Sequence, residues 1–174
     1  MPKMNHQDAH ELIATLRYAV NESFEKNQKL SNFDPEAHNL CIAHCTFNNA
    51  PPLNLFSFSA MSSFSKTALN KLVHEWGVEF VPDVATHIRT FACGGMGQFH
   101  TEPRLINYIH GRPGFIGHLT DVTLVSEIDC CGTCVPYSIN AFKQTFTDVQ
   151  VHIIELGMKP SLGIGPQYGY AHLY

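Results

Sequence analysis

The sequence predicts an α/β fold: a three-layer α/β/α sandwich around a central mixed sheet of about five strands. Three observations predict it. Stretches with apolar residues every three to four positions take turns along the chain with short strand-like runs. Two of those runs, 40–47 and 53–60, are separated only by Asn48-Asn49-Ala50-Pro51-Pro52, so they form an antiparallel hairpin. After the last clear strand, 149–156, about eighteen residues remain, including Pro160, Gly163, Gly165, Pro166 and Gly169. That is too little for another crossover helix, so a final strand near 168–173 should return antiparallel, as a C-terminal hairpin.

In chain order, Asn5 or Asp8 caps a first helix with Leu12, Ile13, Leu16, Val20 and Phe24 on its apolar stripe, ending near Lys26 or Asn27. Residues 32–38, with Pro35, form a loop. Residues 40–47 are small or apolar on both alternating faces, as in a strand buried mid-sheet. Cys41 and Cys45 share one face, about 13 Å apart by strand rise, too far to share one metal ion, so core packing is their expected role. His44 faces the other way, as a satisfied core histidine. Asn48 and Asn49 are read as turn residues. Ser65 caps a further helix carrying Leu69, Leu72, Val73 and Trp76 and stopped by Gly77. The run from 78 to 91 is irregular with room for a short strand, and Trp76 is expected in the core.

Beyond it, Cys93-Gly94-Gly95-Met96-Gly97 approaches a helix that begins near His100, has Pro103 in its first turn and Leu105, Ile106 and Ile109 on its buried face, and closes at Gly111. Lacking a lysine of the phosphate-loop type, the glycine run is not read as a phosphate site. Residues 119–127 form a strand, with Val122 and Leu124 facing one way and Thr123 and Val125 the other. Residues 131–146 form a helix with Pro136 in its first turn and Val135, Ile139, Phe142 and Phe146 as its stripe.

With 174 residues, the chain is long enough for one domain with a substantial core. One domain over 1–174 is expected. The hydrophobic fraction of 44% and mean hydropathy of -0.08 are those of an ordinary globular protein. The polar first eight residues contain no apolar h-region, and no apolar run approaches the roughly 18 residues of a spanning helix. No Sec signal and no membrane partner are expected. Six cysteines in a chain of this size fit reduced thiols and a cytoplasmic site of action, which is compatible with delivery by a specialised secretion system. A net charge of -4 with eleven Lys plus Arg argues against a dominant grip on a phosphate backbone, although a stripe at Arg104, Arg112 and Lys143 would serve locally.

Two short runs carry the chemistry. His100-Thr101-Glu102 opens one helix, and Cys130-Cys131-Gly132-Thr133-Cys134 opens another about thirty residues later. Each offers borderline or soft metal ligands where a helix begins, and two residues between Cys131 and Cys134 is the usual thiolate spacing of zinc sites. Two helix N-termini brought together also favour thiolates. Hydrolysis of an aromatic amine needs a water ionised near neutral pH and a group to carry its proton to departing ammonia. Zinc with one open position meets the first need, and Glu102 the second.

In this H-x-E and C-x-x-C order, the sequence resembles the cytidine deaminase-like superfamily, and the Ser126-Glu127 lead-in with His100-Thr101-Glu102-Pro103 looks most like its bacterial toxin and effector branch. The resemblance spans the chain from about residue 8, except a helical insertion at about 62–92 that would act as a lid, a specificity wall or a cover for the sheet. It implies Zn2+ held by His100, Cys131 and Cys134, and Glu102 as general acid/base. It further implies a nucleobase substrate, cytosine first, within a nucleic acid or nucleotide. A toxin or effector of this kind would have a cognate inhibitor protein. Phe99 would then stack on an unstacked base. Cys130 stands where the family usually has Pro, and its part as neighbour, spare ligand or buried small residue is open. Glu127 reads equally as an acceptor behind the ligands or a strand-end carboxylate.

Two other classes compete. A non-enzymatic, zinc-stabilised binding module would close a four-coordinate site with Cys130. A cysteine hydrolase or deamidase would use Cys93 with His118 or His152.

Overall fold

The computed structural model describes residues 4–25, 38–58, 78–81, 90–91, 100–130, 132 and 134–158. The helix expected after Ser65, with Trp76, lies outside them, as do the glycine run, Cys93, Phe99, Cys131 and the strand expected near 168–173.

The protein is α/β, with one open mixed sheet of five strands. Its elements in order are α1 (His6–Glu25), β1 (Leu40–Phe47), β2 (Leu53–Phe58), β3 (Val78–Phe80), α2 (Thr101–Gly111), β4 (Leu119–Ser126), a π-helical turn Val135–Ile139 running into α3 (Asn140–Thr145), and β5 (Gln150–Glu155). Strand order is β3-β2-β1-β4-β5. The hairpin expectation holds, since β1 pairs antiparallel with β2, Cys41 opposite Ser57. β1 is also antiparallel to β4, with Cys41 opposite Ser126, whereas β4 and β5 run parallel. The fifth strand comes from the irregular run, because Val78–Phe80 adds to the edge parallel to β2.

The period-2 pattern of β1 divides the core. Leu40 and Ile42 join Phe56, Phe58, Val125 and the α1 stripe of Ile13, Leu16 and Val20 on one face. Cys41, Ala43 and Cys45 join Leu55, Val122, Leu124 and the α2 stripe of Leu105, Ile106 and Ile109 on the other, where Ile139 and Phe142 also pack. Helices therefore cover both faces. Each fully buried aliphatic contributes about 1.5–3 kcal/mol as an upper bound. Both Cys41 and Cys45 are core residues as expected, and His44 is satisfied by Asn54, Nδ1 to Oδ1 2.7 Å.

The caps explain the helix starts. Asp8 N donates to Asn5 Oδ1 at 2.8 Å, so Asn5 is the cap of α1. At α2 the cap residue is His100, in extended conformation, whose side chain makes no capping bond. The third helix departs from expectation: Gly132 lies in a turn, Cys134 is helical, and the first full turn is wide, with Asn140 N bonded to Val135 O. Nothing in a 3.6-residue periodicity announces such a turn. No helix among the described residues is long and apolar enough to cross a membrane.

Candidate metal and catalytic site

β1 begins, β4 ends and α2 begins at the same end of the sheet, and the segment leading to α3 passes over it. His100 and Cys134, 34 residues apart, meet there with Nδ1 and Sγ 3.1 Å apart. Cys134 is fully buried. Two ligands on a tetrahedral zinc, at about 2.0–2.1 Å for nitrogen and 2.3 Å for sulfur, stand about 3.5 Å from each other. The observed pair needs to open by less than half an ångström, so its donor types and spacing fit that ion. The third ligand implied by the resemblance, Cys131, lies outside the described residues. Among those that are described, no three His, Cys, Asp or Glu side chains form a metal-holding group.

Glu102 sits in the first turn of α2, only 3% exposed. Its Oε1 accepts from Ser126 Oγ at 2.8 Å, Asn39 Nδ2 at 3.2 Å and Cys130 Sγ at 3.7 Å. Among the described residues its Oε2 accepts from Thr101 Oγ1 alone, at 3.1 Å. Asn39 Nδ2 further donates to Thr101 Oγ1 at 2.8 Å and Ser126 Oγ at 3.1 Å, and Asn39 Oδ1 accepts from Ile128 N at 3.3 Å. All these donors are neutral. They fix the carboxylate through Oε1 and leave lone-pair capacity on Oε2, the atom better placed to exchange a proton.

Cys130 directs its thiol at Glu102, while its backbone N–H donates to Glu155 Oε1 at 2.8 Å. Burial, then the carboxylates of Glu102 and Glu155, push the Cys130 thiol far up, favouring the neutral SH. Cys41 contributes the floor beside Ser126. Burial first, then Glu102, Cys130 and Cys134, push its thiol well up as well.

Glu127 directly follows the end of β4 and has a further partner in α1 that neither sequence reading included. It forms a buried ion pair with Arg17 of α1, both about 1% exposed. Arg17 Nε donates to Glu127 Oε1 at 2.8 Å, Arg17 Nη2 to Oε2 and, at 2.7 Å, to His38 O. Leu40 N also donates to Glu127 Oε2, at 3.2 Å. The signal lay in α1: Arg17 occupies the apolar stripe of Ile13, Leu16 and Val20, and a charge there requires a buried partner. Asn39 and Ser126 were missed as Glu102 partners, because their meeting depends on the β1–β4 register.

The basic stripe is corrected. Arg104 is buried and donates to Phe58 O at 2.7 Å, and Arg112 is paired with Glu79, so of the three only Lys143 is exposed with no described partner. Of the histidines proposed for a cysteine hydrolase, His118 lies in the α2–β4 connection at the opposite end of β1, and His152 stands 4.0 Å from Asp121 on β4. No family model, curated protein or solved structure matches this chain.

Proposed function

We propose that the protein is a zinc-dependent hydrolytic deaminase of a nucleobase, most readily cytosine in a nucleic acid or nucleotide, on a cytidine deaminase-like three-layer scaffold. The observation that carries this reading is the meeting of His100 and Cys134 at 3.1 Å beside a Glu102 carboxylate held through one oxygen. In it, His100 and Cys134, with Cys131, hold the metal. A zinc ion bound there supplies a water ionised near neutral pH. Glu102 Oε2 would take a proton from the attacking water and pass it to the ring nitrogen as the water oxygen bonds to the amino-bearing carbon, and would then carry the second proton to the amino group as the C–N bond breaks and ammonia leaves. Ser126, Asn39 and Thr101 keep the carboxylate aimed. A toxin or effector role, with a cognate inhibitor protein, belongs to the same proposal through the sequence resemblance.

The test is zinc per chain in the wild type and Cys134→Ser, paired with ammonia release from pooled nucleosides and nucleic acids. About one zinc per chain, lost in Cys134→Ser, with ammonia that Glu102→Ala abolishes, is expected. A wild-type protein without zinc overturns the reading. The same 3.1 Å contact favours a second reading, a Cys134–His100 dyad of a cysteine hydrolase. Its activity would survive chelation and die on thiol alkylation, the reverse of the first. Full burial of Cys134 weighs against it, since an attacking sulfur must reach its substrate.

A further inference from the structure

The opposite end of the sheet holds a second concavity, far from His100 and Glu102. Past Phe47, where β1 ends, the β1–β2 turn and the α2–β4 connection are tied together by Asn48 N donating to His118 O at 2.9 Å. They form, with the edge strand β3, the walls of an open cavity of about 510 Å3 lined by Phe47, Pro51, Pro52, Glu79, Arg112 and Phe115 among others. That volume is in the range of small-molecule sites, roughly 300–1,000 Å3. Its walls are preformed. Pro51, Pro52 and Pro113 have fixed φ, Gly114 takes the left-handed φ of +80° that suits glycine, and Phe47 meets Phe115 edge-on at 5.1 Å.

The wall is mostly apolar, with Asn49 and His118 at it and one charged pair whose bonding is lopsided. Arg112 stacks over the Phe115 ring at 4.4 Å and donates from Nη1 to Glu79 Oε1, which also accepts from the Tyr108 hydroxyl. All of these bonds use one carboxylate oxygen and one guanidinium nitrogen. Glu79 Oε2, and Nε and Nη2 of Arg112, bond to no described residue. The pair is neutral in sum, so a simple anion gains little from it. A purely aliphatic guest would strip water from both groups and return nothing. What matches is a flat ring that packs among Phe47, Phe115 and the prolines and presents a hydrogen-bond donor beside an acceptor.

We propose that this cavity is a second binding site, for a planar heterocycle of the nucleobase class, whose ring N–H or amino group donates to Glu79 and whose carbonyl or ring nitrogen accepts from Arg112. The site is independent of the deaminase reading. A chain without zinc or turnover would leave it standing.

The test is amide NMR of the full chain titrated with uridine, cytidine and guanosine, with 3-methyluridine as the probe whose ring donor is blocked. Expected are saturable shifts at Phe47, Leu53, Arg112 and 114–118 for at least one nucleoside. Arg112→Gln, Glu79→Gln and Phe115→Leu should each weaken binding at least about tenfold, and if uridine binds, 3-methyluridine should bind as weakly as the variants. Three variants guard against one failing to fold. The proposal is overturned if no probe saturates up to about 10 mM, if folded variants bind like the wild type, or if the shifts cluster only around His100 and Cys134.

Discussion

Replacing Arg17 by Met removes the cation from a buried pair while keeping much of the side-chain volume. Glu127 would lose the bonds from Nε and Nη2 and keep the one from Leu40 N, and His38 O would lose its 2.7 Å donor. The stacking of the guanidinium over Phe58, 5.3 Å from the ring centroid, goes too. With both partners about 1% exposed, water cannot replace the lost charge without opening the junction of α1, β1 and β4. Breaking such a pair from one side costs about 3–5 kcal/mol, against a typical total stability of about 5–15. With a urea slope of about 2 kcal/mol per M, the unfolding midpoint should fall by roughly 1.5–2.5 M. The double variant Arg17→Met/Glu127→Leu should recover most of that loss, because no charge is then stranded. Urea unfolding of wild type, both single variants and the double variant, followed by far-UV circular dichroism, provides the cycle. A single variant within about 0.5 kcal/mol of wild type would refute the buried pair as a structural lock.

Three other outcomes follow from the geometry. Ser126→Ala takes from Glu102 its shortest hydrogen bond, 2.8 Å, and in the proposed reaction should lower turnover by about 10- to 100-fold at unchanged zinc content; equal turnover would show that Ser126 does not position the carboxylate. Burial raises the Glu79 carboxyl, but bonds from Arg112 and Tyr108 and the charge of Arg112 outweigh it and hold its pKa below the ordinary 4.5. The stabilisation from Glu79 is therefore full above the unfolded-state value and lost as pH falls through the folded one, so the stability gap between wild type and Glu79→Gln should close on acidification from pH 6, and a constant gap would contradict the assignment. Burial lifts the Cys45 thiol from 9.0 to about 12, a shift that Arg112 lowers and Glu79 raises, leaving about a thousandfold less thiolate at pH 8. Iodoacetamide should leave Cys45 unmodified in the native protein and label it in urea, as read by peptide mass spectrometry.

The elements with strong periodicity were legible. The bounds of β1 match the buried run in the sequence, and α2 starts at its expected histidine because Pro103 and the apolar spacing of Leu105, Ile106 and Ile109 leave little choice. Apart from His100 and Cys134, long-range polar partners were not legible. Asn39 and Ser126 are 87 positions apart and bond only because Cys41 pairs with Ser126, placing the two sides of Glu102 on adjacent strands. Register of that kind is set by the whole sheet, not by either segment. The π-turn after Cys134 was equally hidden, since one wide turn barely disturbs a short apolar stripe. Arg17, a cation among buried aliphatics, was a signal the sequence reading left unused, and its partner could not be chosen from fifteen carboxylates without the fold.

The two sides of the candidate site are held in different ways, and that difference bears on how the chemistry would work. On the Glu102 side, neutral donors from the residue before β1, the end of β4 and α2 itself converge on one carboxylate, and the Arg17–Glu127 pair clamps the same strand ends from the other face. Moving Glu102 breaks several buried bonds together, so its aim is pre-organised. On the cysteine side, Cys130 N donates to exposed Glu155, Cys130 Sγ points at Glu102, and His100 meets Cys134. In the proposed reaction the His100–Cys134 pair would widen by less than half an ångström around the ion, while the proton carrier stays where several buried bonds hold it. Substitutions at Asn39 or Ser126 should accordingly act on turnover, and those at Cys134 on metal content. A Ser126 variant that lost zinc with Glu102 still in place would show instead that the two sides are one mechanical unit.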